Sequence, residues 1–376
     1  MSTRLVERLE REIAQAEDPM ERECLKAQHA AVIARLGMLD QAKFTLAGLR
    51  TQSRRHGQPR LQAWVHFVDG SIHYFSAAHS ARSLRGFQEA RDAALKCGDT
   101  RLQALACAWL AAAKMQYGRD AALLEVLGEA FRLAAPDDHA TLSRAWLVLA
   151  NMADYGDRFE ESMRCYDRVR AHAVADGDST AVSLMMYNRA NSLISHHVRR
   201  ELFGTATATA VERVLAEIES TANLDWGLGN TALASFAQVV RAEALTVVGR
   251  WAEAIALINQ YLDRHVKETS PASGARFLAH RAWCHASLQH NSQAQADAEA
   301  TRICLPKVTD ADDLAVAHQR LANTFKRLGQ PERAQTHEEA AAVALQALSA
   351  EQAGLGILLN QFKQTMKELG HPWLPV

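Results

Sequence analysis

The fold is decided by residues 310–347, whose sequence is DADDLAVAHQRLANTFKRLGQPERAQTHEEAAAVALQA. Its first half repeats largely apolar side chains at steps of three and four, which predicts a helix with one apolar stripe. The stripe consists of Leu314, Ala317, His318, Leu321, Ala322 and Phe325. Gly329 suits a left-handed helix end, and Pro331 suits the first turn of a second helix. One hairpin of this kind cannot bury its own stripe, so the sequence predicts equivalent hairpins stacked on both sides.

Equivalent positions recur along the chain with a period near 40 residues. The first packing positions of the predicted second helices are Ala42, Ser83, Leu123, Ser162, Val211, Ala254, Ala294 and Ala334. Their intervals are 41, 40, 39, 49, 43, 40 and 40 residues. No linker rich in Pro, Gly or Ser interrupts the series. The sequence therefore predicts one domain over 1–376, with an N-terminal capping helix in 1–18, repeats in 19–349 and a C-terminal capping helix in 350–376.

Several helix ends in this series are specific predictions. The fourth hairpin is expected to turn at Gly156, where a glycine follows an apolar stretch. The fifth hairpin is expected to have helices over 179–203 and 205–222, followed by a Trp-Gly-Leu-Gly link at 226–229. The terminal helix, over about 350–369, is expected to be separate from the second helix of the eighth hairpin.

Composition and charge restrict the class of protein. The chain has 42 basic and 43 acidic residues and a formal net charge of -1, so it has no overall field to attract nucleic acid or an anionic membrane. No sustained run of alternating β-branched residues occurs, which argues against a sandwich or barrel. Six scattered cysteines without a CxxC pair are typical of reduced thiols in a cytosolic protein. The N-terminus is too charged for a signal peptide, and the longest apolar run, 104–113, is about half of the roughly 20 residues of a membrane span. A cytoplasmic protein without membrane contact is expected.

The hairpins resemble tetratricopeptide repeats, which carry the pattern W-x2-L-G-x2-Y followed by A-x3-F. Residues 146–153 match its first half as Trp-x2-Leu-Ala-x2-Ala, and 162–166 match the second as Ser-x3-Tyr. Residues 318–325 give His-x2-Leu-Ala-x2-Phe, then Ala334, with Glu338 at the aromatic position. The period exceeds the usual 34 residues by about six, in which it is similar to the longer repeats of bacterial signalling regulators. The resemblance implies an all-α, right-handed superhelical solenoid of about eight hairpins with terminal capping helices.

The same resemblance implies a concave groove, lined by first helices, that holds a peptide or another protein. An Asn that follows the small position of the first helix often faces this groove in the family. An amide side chain both donates and accepts, so it can pair with an extended peptide backbone of any sequence. Asn151 and Asn191 lie one repeat apart and are predicted to be neighbours, whereas the alternative is that they bond to nearby backbone or water. The predicted groove residues are Trp146, Asn151, Tyr187, Asn188 and Asn191.

A second candidate patch combines Asn323, Lys326 and Arg327 at the end of a first helix. It loosely resembles the amide-plus-basic clamps with which some members of the family hold a carboxylate. A basic helix end is also what the helix dipole favours, and that structural alternative is preferred.

The remaining ionisable groups give weaker signals. Asp69 and His73 share one face of an aromatic-rich helix, but no nucleophile or metal partner accompanies them, so hydrogen bonding in a core or groove is favoured over catalysis. His280 and Cys284 also share a face, without an HExxH or CxxC motif. We expect no catalytic residue, no metal and no cofactor, and find no phosphate-binding glycine loop, nucleophile elbow or DNA-reading helix-turn-helix.

These observations favour a non-enzymatic scaffold or regulator that binds a protein or peptide of unknown identity in its concave groove. This functional prediction is based on analogy with the family. The alternative is a sensor of a small ligand or signal peptide, which changes the curvature of the superhelix and signals through a partner protein. An enzyme that uses the Asp69–His73 pair ranks below both. Either terminal helix could also pair with a second copy, which would give a homodimer.

Overall fold

The computed structural model describes residues 3–76, 80–204, 208–228, 234–269 and 271–370. Within these ranges the chain forms 17 α-helices, two short 3₁₀ helices (Pro271–Ser273 and Leu305–Lys307) and no β-strand, which confirms the all-α prediction. The helices are α1 (Arg4–Gln15), α2 (Pro19–Arg35), α3 (Leu39–His56), α4 (Pro59–Ser76), α5 (Ala81–Cys97), α6 (Thr100–Lys114), α7 (Ala121–Leu133), α8 (His139–Tyr155), α9 (Phe159–Asp176), α10 (Ser179–Phe203), α11 (Ala208–Leu228), α12 (Ala234–Val247), α13 (Trp251–Glu268), α14 (Gly274–Ser287), α15 (Asn291–Cys304), α16 (Ala311–Arg327) and α17 (Pro331–Glu368).

The chain divides into two compact units. Unit 1 comprises Met1–Met185, Asp225–Ala232 and Ala353–Val376, and unit 2 comprises Met186–Leu224 and Leu233–Gln352. Helices α10, α11 and α17 contribute residues to both units. The prediction of one continuous repeat domain stays a prediction.

Consecutive helices pack in pairs inside each unit. In unit 1, α2 packs on α3, α4 on α5, α6 on α7 and α8 on α9; in unit 2, α12 packs on α13 and α14 on α15. First helices of successive hairpins also pack together, as α2 on α4, α6 on α8 and α14 on α16. Both kinds of contact are consistent with a helical repeat, in which every hairpin buries its apolar stripe against its neighbours.

Local sequence signals account for most helix ends. Aspartate N-caps accept hydrogen bonds from backbone N–H groups of the first turn at Asp18, Asp99, Asp120, Asp138 and Asp310. Gly329 has a φ of 70°, so the predicted left-handed stop is confirmed. At the predicted Gly156 turn the left-handed residue is Asp157 instead, with a φ of 55°, while Gly156 has a φ of -81°. Aspartate tolerates this conformation better than most side chains, which explains the one-residue shift.

Two glycines set the distance between α4 and α5. A Cβ added to Gly86 would lie 2.6 Å from the Cα of Gly70, and one added to Gly70 would lie 3.0 Å from the backbone N of Phe87. The two backbones therefore touch at a point where no side chain fits. The adjoining core is aromatic, with the ring centroids of Phe87 and Trp109 5.7 Å apart and stacked.

Unit 2 buries charge as well as apolar side chains. The Arg276 guanidinium contacts Glu243, and it donates to Asp312 at 2.9 Å and Asp313 at 3.1 Å. A second buried arginine, Arg320, forms a two-pronged pair with Glu201. A buried guanidinium is tolerated when a carboxylate is paired with it, and both arginines meet that condition.

Two predicted breaks are wrong. Helix α11 runs through Trp226 to Leu228, so the expected link there is helical; the predicted start at Thr205 lies outside the described residues. Helix α17 continues without interruption from Pro331 to Glu368, so 350–369 is not a separate helix. Its middle, SAEQAGLGILL over 349–359, contains no proline, and the helix formers around Gly354 and Gly356 are sufficient to continue it.

The C-terminal part of α17 packs inside unit 1. Phe362 faces Phe131, with ring centroids 6.4 Å apart, and Arg158 donates to the Asn360 side chain at 2.7 Å. Among the described residues α17 is also the one helix whose length and composition would suffice for a membrane span. Length and composition alone are weak evidence, because long helices of soluble proteins pass the same test.

Candidate ligand-binding cavity

The predicted groove residues of unit 1 are engaged within the protein. Asn151 is half-buried, and its Oδ1 accepts a hydrogen bond of 2.8 Å from the Tyr166 hydroxyl. Trp146 is 1% exposed and packs edge-on against Phe131, with centroids 5.2 Å apart. Trp146 therefore lies in the core and offers a ligand no surface. A role for the Asn151 amide in peptide binding stays a prediction.

The other members of the first predicted set lie in unit 2. Tyr187, Asn188 and Asn191 are half-buried on α10. The Tyr187 ring packs edge-on against Phe236, with centroids 5.5 Å apart. The predicted proximity of Asn151 and Asn191 stays a prediction, since the two residues belong to different units.

The second predicted patch is occupied by intramolecular contacts in unit 2. Asn323 accepts from the Gln319 amide at 3.2 Å, and Lys326 pairs with Glu338. Arg327 donates to Ser287 Oγ at 3.1 Å, and its guanidinium lies 5.1 Å from the centroid of the Trp283 ring. Each polar group of the patch thus has a partner in its own unit.

The weaker candidates are also placed. Asp69 pairs with Arg50 at 2.7 Å, while His73 lies 3.8 Å from the same carboxylate. Cys284 and Thr246 Oγ1 are 3.4 Å apart in the core of unit 2, close to the buried His280. Within the described part of the chain, no three His, Cys, Asp or Glu side chains converge as a metal site would require.

A cavity in unit 1, which sequence reasoning missed, is the best-built candidate site. Its volume is about 50 Å³, enough for more than one water molecule. First helices of five successive hairpins, namely α2, α4, α6, α8 and α10, contribute to its wall. Aromatic side chains from α4 and α6 form the apolar part, and serine, aspartate and arginine side chains form the polar part. We call this space the unit 1 cavity.

The N-terminal helix α1 closes one side of the unit 1 cavity. It is amphipathic, with Leu5, Val6 and Leu9 buried, and Leu5 forms part of the cavity wall. On its polar side, Arg8 donates to the Asp176 carboxylate at 2.8 Å and to the Asp176 carbonyl oxygen at 3.1 Å. Unit 1 thus holds a short helical segment through one apolar stripe, which contributes Leu5 to the cavity wall, and one ion pair to the end of α9.

Below α1, a buried ion pair links the first hairpin with the fifth. Arg35 at the end of α2 lies 2.7 Å from the Asp178 carboxylate, which is just before α10. Asp178 also accepts from Thr180 Oγ1 at 2.5 Å and from the Ala181 N–H at 3.1 Å. Its pKa is lowered, chiefly by the Arg35 charge, against the opposing effect of burial. Asp178 therefore already has three partners within unit 1.

A second arginine in the same wall has no such partner. Arg144, on α8, is 6% exposed, and its guanidinium stacks on the Trp109 ring at 3.6 Å from the centroid. No carboxylate of the described residues forms an ion pair with it, in contrast to the buried Arg276 and Arg320 of unit 2. Burial lowers the pKa of Arg144 to about 10, so the side chain is still charged at neutral pH.

The wall of the cavity also includes a residue with a neutral hydrogen-bond donor that has no acceptor within the described ranges. Trp64, on α4, is 8% exposed, and its indole N–H has no hydrogen-bond acceptor in the described part of the chain. An indole nitrogen only donates, and a guanidinium carries five N–H donors. Arg144 thus brings a charge without an ion-pair partner to the wall of the unit 1 cavity, and Trp64 brings an indole N–H without an acceptor among the described residues.

The sequence matches no family model and no curated protein. The function proposed below is therefore inferred from the geometry of unit 1.

Proposed function

We propose that this chain is a non-enzymatic binding protein that captures a segment of a partner protein on the inner surface of unit 1. In this proposal the hairpins form a tetratricopeptide-like right-handed solenoid, and the protein acts as an adaptor or regulator in the cytoplasm. The sequential pairing of helices supports the repeat part of the proposal.

One observation carries the proposal: α1 already occupies that surface as a segment of the same chain. Three apolar residues on one face of a helix of 12 residues are buried, Leu5 among them lines the cavity, and Arg8, one turn after Leu5, is fixed on Asp176. This is the helix-in-groove mode of recognition, in which apolar anchors at helical spacing provide affinity and a flanking charge provides register. An isolated helix of this length is marginal in water, so α1 depends on the surface that it covers.

The occupant defines the chemistry of the partner. A competing segment needs apolar residues at positions i, i+1 and i+4, like Leu5, Val6 and Leu9, and a basic residue one turn along to meet Asp176. The side chain of Asp176 is only 13% exposed, so a partner that lacks the basic residue would leave a carboxylate without its counterion. The proposed partner is therefore a basic amphipathic helix, with α1 as its intramolecular competitor.

The test measures binding of α1 in trans. In the full chain, Leu9→Asp places a carboxylate where Leu9 is fully buried, which should release α1 without altering the wall. A labelled peptide of residues 3–16 should bind this variant saturably in fluorescence polarisation and should bind the wild-type chain much more weakly. Ala14→Asp, at an exposed position of the same helix, is the matched control and should behave as wild type. Equal weak binding to all three proteins would refute the proposal, as would a Leu9→Asp chain that loses far more helical circular dichroism than the 12 residues of α1 account for.

A second candidate function, a sensor of a small ligand, is favoured by a different observation. Arg144 is buried without a carboxylate partner, and its surroundings include the wall that α1 covers. A ligand that neutralises this charge would alter the cavity behind α1 and would thereby change the position of that helix. Solution scattering with and without ligand measures whether such a change reaches the dimensions of the molecule.

A further inference from the structure

One charged side chain in the wall of the unit 1 cavity has no ion-pair partner in the described part of the chain. Arg8 pairs with Asp176, and Arg35 pairs with Asp178, so these four residues contribute no net charge. Arg144 adds one positive charge that no ion pair of the described residues offsets. An isolated charge in a low-dielectric site is costly, and proteins neutralise such charges with a counterion or a ligand. An anion beside Arg144 would supply such a counterion.

The shape of the donors specifies the anion further. One face of the guanidinium is covered by Trp109, which leaves its edge N–H groups for hydrogen bonding. A planar carboxylate can accept two parallel hydrogen bonds from such an edge. Trp64, whose indole N–H has no acceptor among the described residues, lines the same cavity, so this N–H is the candidate for a third donor to a carboxylate oxygen.

The rest of the wall specifies the body that carries the carboxylate. Leu5, Val32 and Phe67 are apolar and line the same space, and the volume of about 50 Å³ admits only a few heavy atoms. A large or strongly hydrated ligand would neither fit nor replace the apolar contacts. A compact branched aliphatic acid satisfies size, charge and polarity together.

We propose that the unit 1 cavity is a binding site for a small apolar monocarboxylate, whose carboxylate group is held by Arg144 and the Trp64 indole N–H. The hydrocarbon body lies against Leu5 of α1, Val32 and Phe67. This inference does not require the partner segment proposed above, but it does require α1 in its place, because Leu5 forms part of the cavity wall.

The experiment uses isobutyrate as the probe and tryptophan fluorescence of the full chain as the readout, at constant ionic strength. Trp64 and Trp109 both line the cavity, so occupancy should change their emission saturably. Isobutyramide, which has the same shape without the charge, should not bind. Inorganic phosphate should not compete, since it is strongly hydrated and lacks an apolar body.

Two variants and one control assign the site. Arg144→Met keeps the length of the side chain without its charge and should weaken isobutyrate binding on the order of 10- to 100-fold, as expected for losing hydrogen bonds to a charged group. Trp64→Phe removes the indole N–H together with the five-membered ring and should weaken binding by roughly 5-fold. Arg60→Met is the matched control in the same unit, because Arg60 is half exposed and pairs with Asp99 and Glu21 away from the cavity wall. Its affinity should equal that of the wild type.

Several results would overturn the assignment. They are an absence of saturable binding, equal binding of isobutyramide, equal competition by phosphate, or unchanged affinity in a folded Arg144→Met chain. Trp64→Phe provides an independent answer if Arg144→Met alters the fold. Because no peptide is present, a negative result here leaves the capture of a partner segment intact, and a negative result with the peptide leaves this site intact.

Discussion

Replacement of Arg144 by methionine should stabilise the protein, because the guanidinium is buried without a counterion. Burial lowers the pKa of Arg144 to about 10. At 1.36 kcal/mol per pKa unit, a decrease of this size corresponds to a cost of roughly 3 kcal/mol for keeping the side chain charged. Stacking on Trp109 returns about 1–2 kcal/mol of that cost. Arg144→Met removes both effects and fills the same volume, so the expected gain is about 1 kcal/mol.

Urea unfolding followed by tryptophan fluorescence measures this gain as a higher midpoint with an unchanged m-value. The gain should be constant between pH 6 and pH 8. A base with a lowered pKa carries its full penalty below the folded-state pKa, and the penalty is relieved only as pH rises above about 10. A loss of more than about 1 kcal/mol in Arg144→Met would refute the reasoning, since it would mean that the guanidinium is a structural contact rather than a group reserved for a ligand.

Three further predictions follow from other contacts. Gly86→Ala should destabilise by several kcal/mol through a backbone clash, whereas Gly48→Ala, in open space on α3, should stabilise by about 0.5–1 kcal/mol; thermal unfolding compares the two. Arg35→Met should lower the free energy of unfolding by about 3–5 kcal/mol, because it leaves the Asp178 carboxylate buried without its counterion. Adding Asp178→Asn, which keeps the helix cap, should recover part of that loss in a double-mutant cycle. His337 is 8% exposed, and burial lowers its pKa from 6.5 to about 4. As pH drops across that interval the unfolded chain binds the proton first, so the free energy of unfolding should fall by roughly 3 kcal/mol. His337→Phe should flatten this part of the pH–stability curve.

Much of the fold was predictable because its signals are local. Apolar side chains spaced three and four residues apart before Gly329 indicate a helix, and the glycine then permits a positive φ. Both features are present in the structure. The fifth hairpin's first helix begins and ends at the predicted residues, Ser179 and Phe203. The failures are also local. At 350–369 no residue was present that could stop α17, so the expected end had no physical cause.

The cavity could not be predicted in the same way, because it depends on contacts between distant hairpins. Arg35 meets Asp178 across 143 positions of sequence, and no local pattern connects them. One signal was available, because Arg144 is a charged residue within a segment of α8, from Thr141 to Ala150, in which every residue is buried. An arginine in such a stretch predicts either a buried partner or a site, and only the structure shows that no partner is present among the described residues.

The prediction of groove residues from family analogy had a different weakness. It identified positions on first helices, but it could not tell which side chains already have partners. Asn151 accepts from Tyr166, and Lys326 pairs with Glu338, contacts that involve the second helices. Burial and pairing, rather than position in the repeat, distinguish Arg144 and Trp64 from these residues.

The central claim is that α1 is an exchangeable occupant of the inner surface of unit 1, and native-state hydrogen exchange tests it most directly. The buried residues of α1 are Leu5, Val6 and Leu9, which is little apolar burial for a helix of 12 residues. The amides of α1 should therefore exchange through a local opening that costs only a few kcal/mol, well before those of α2, α4, α6 and α8. Exchange of α1 only together with these helices, in one global unfolding, would contradict the account.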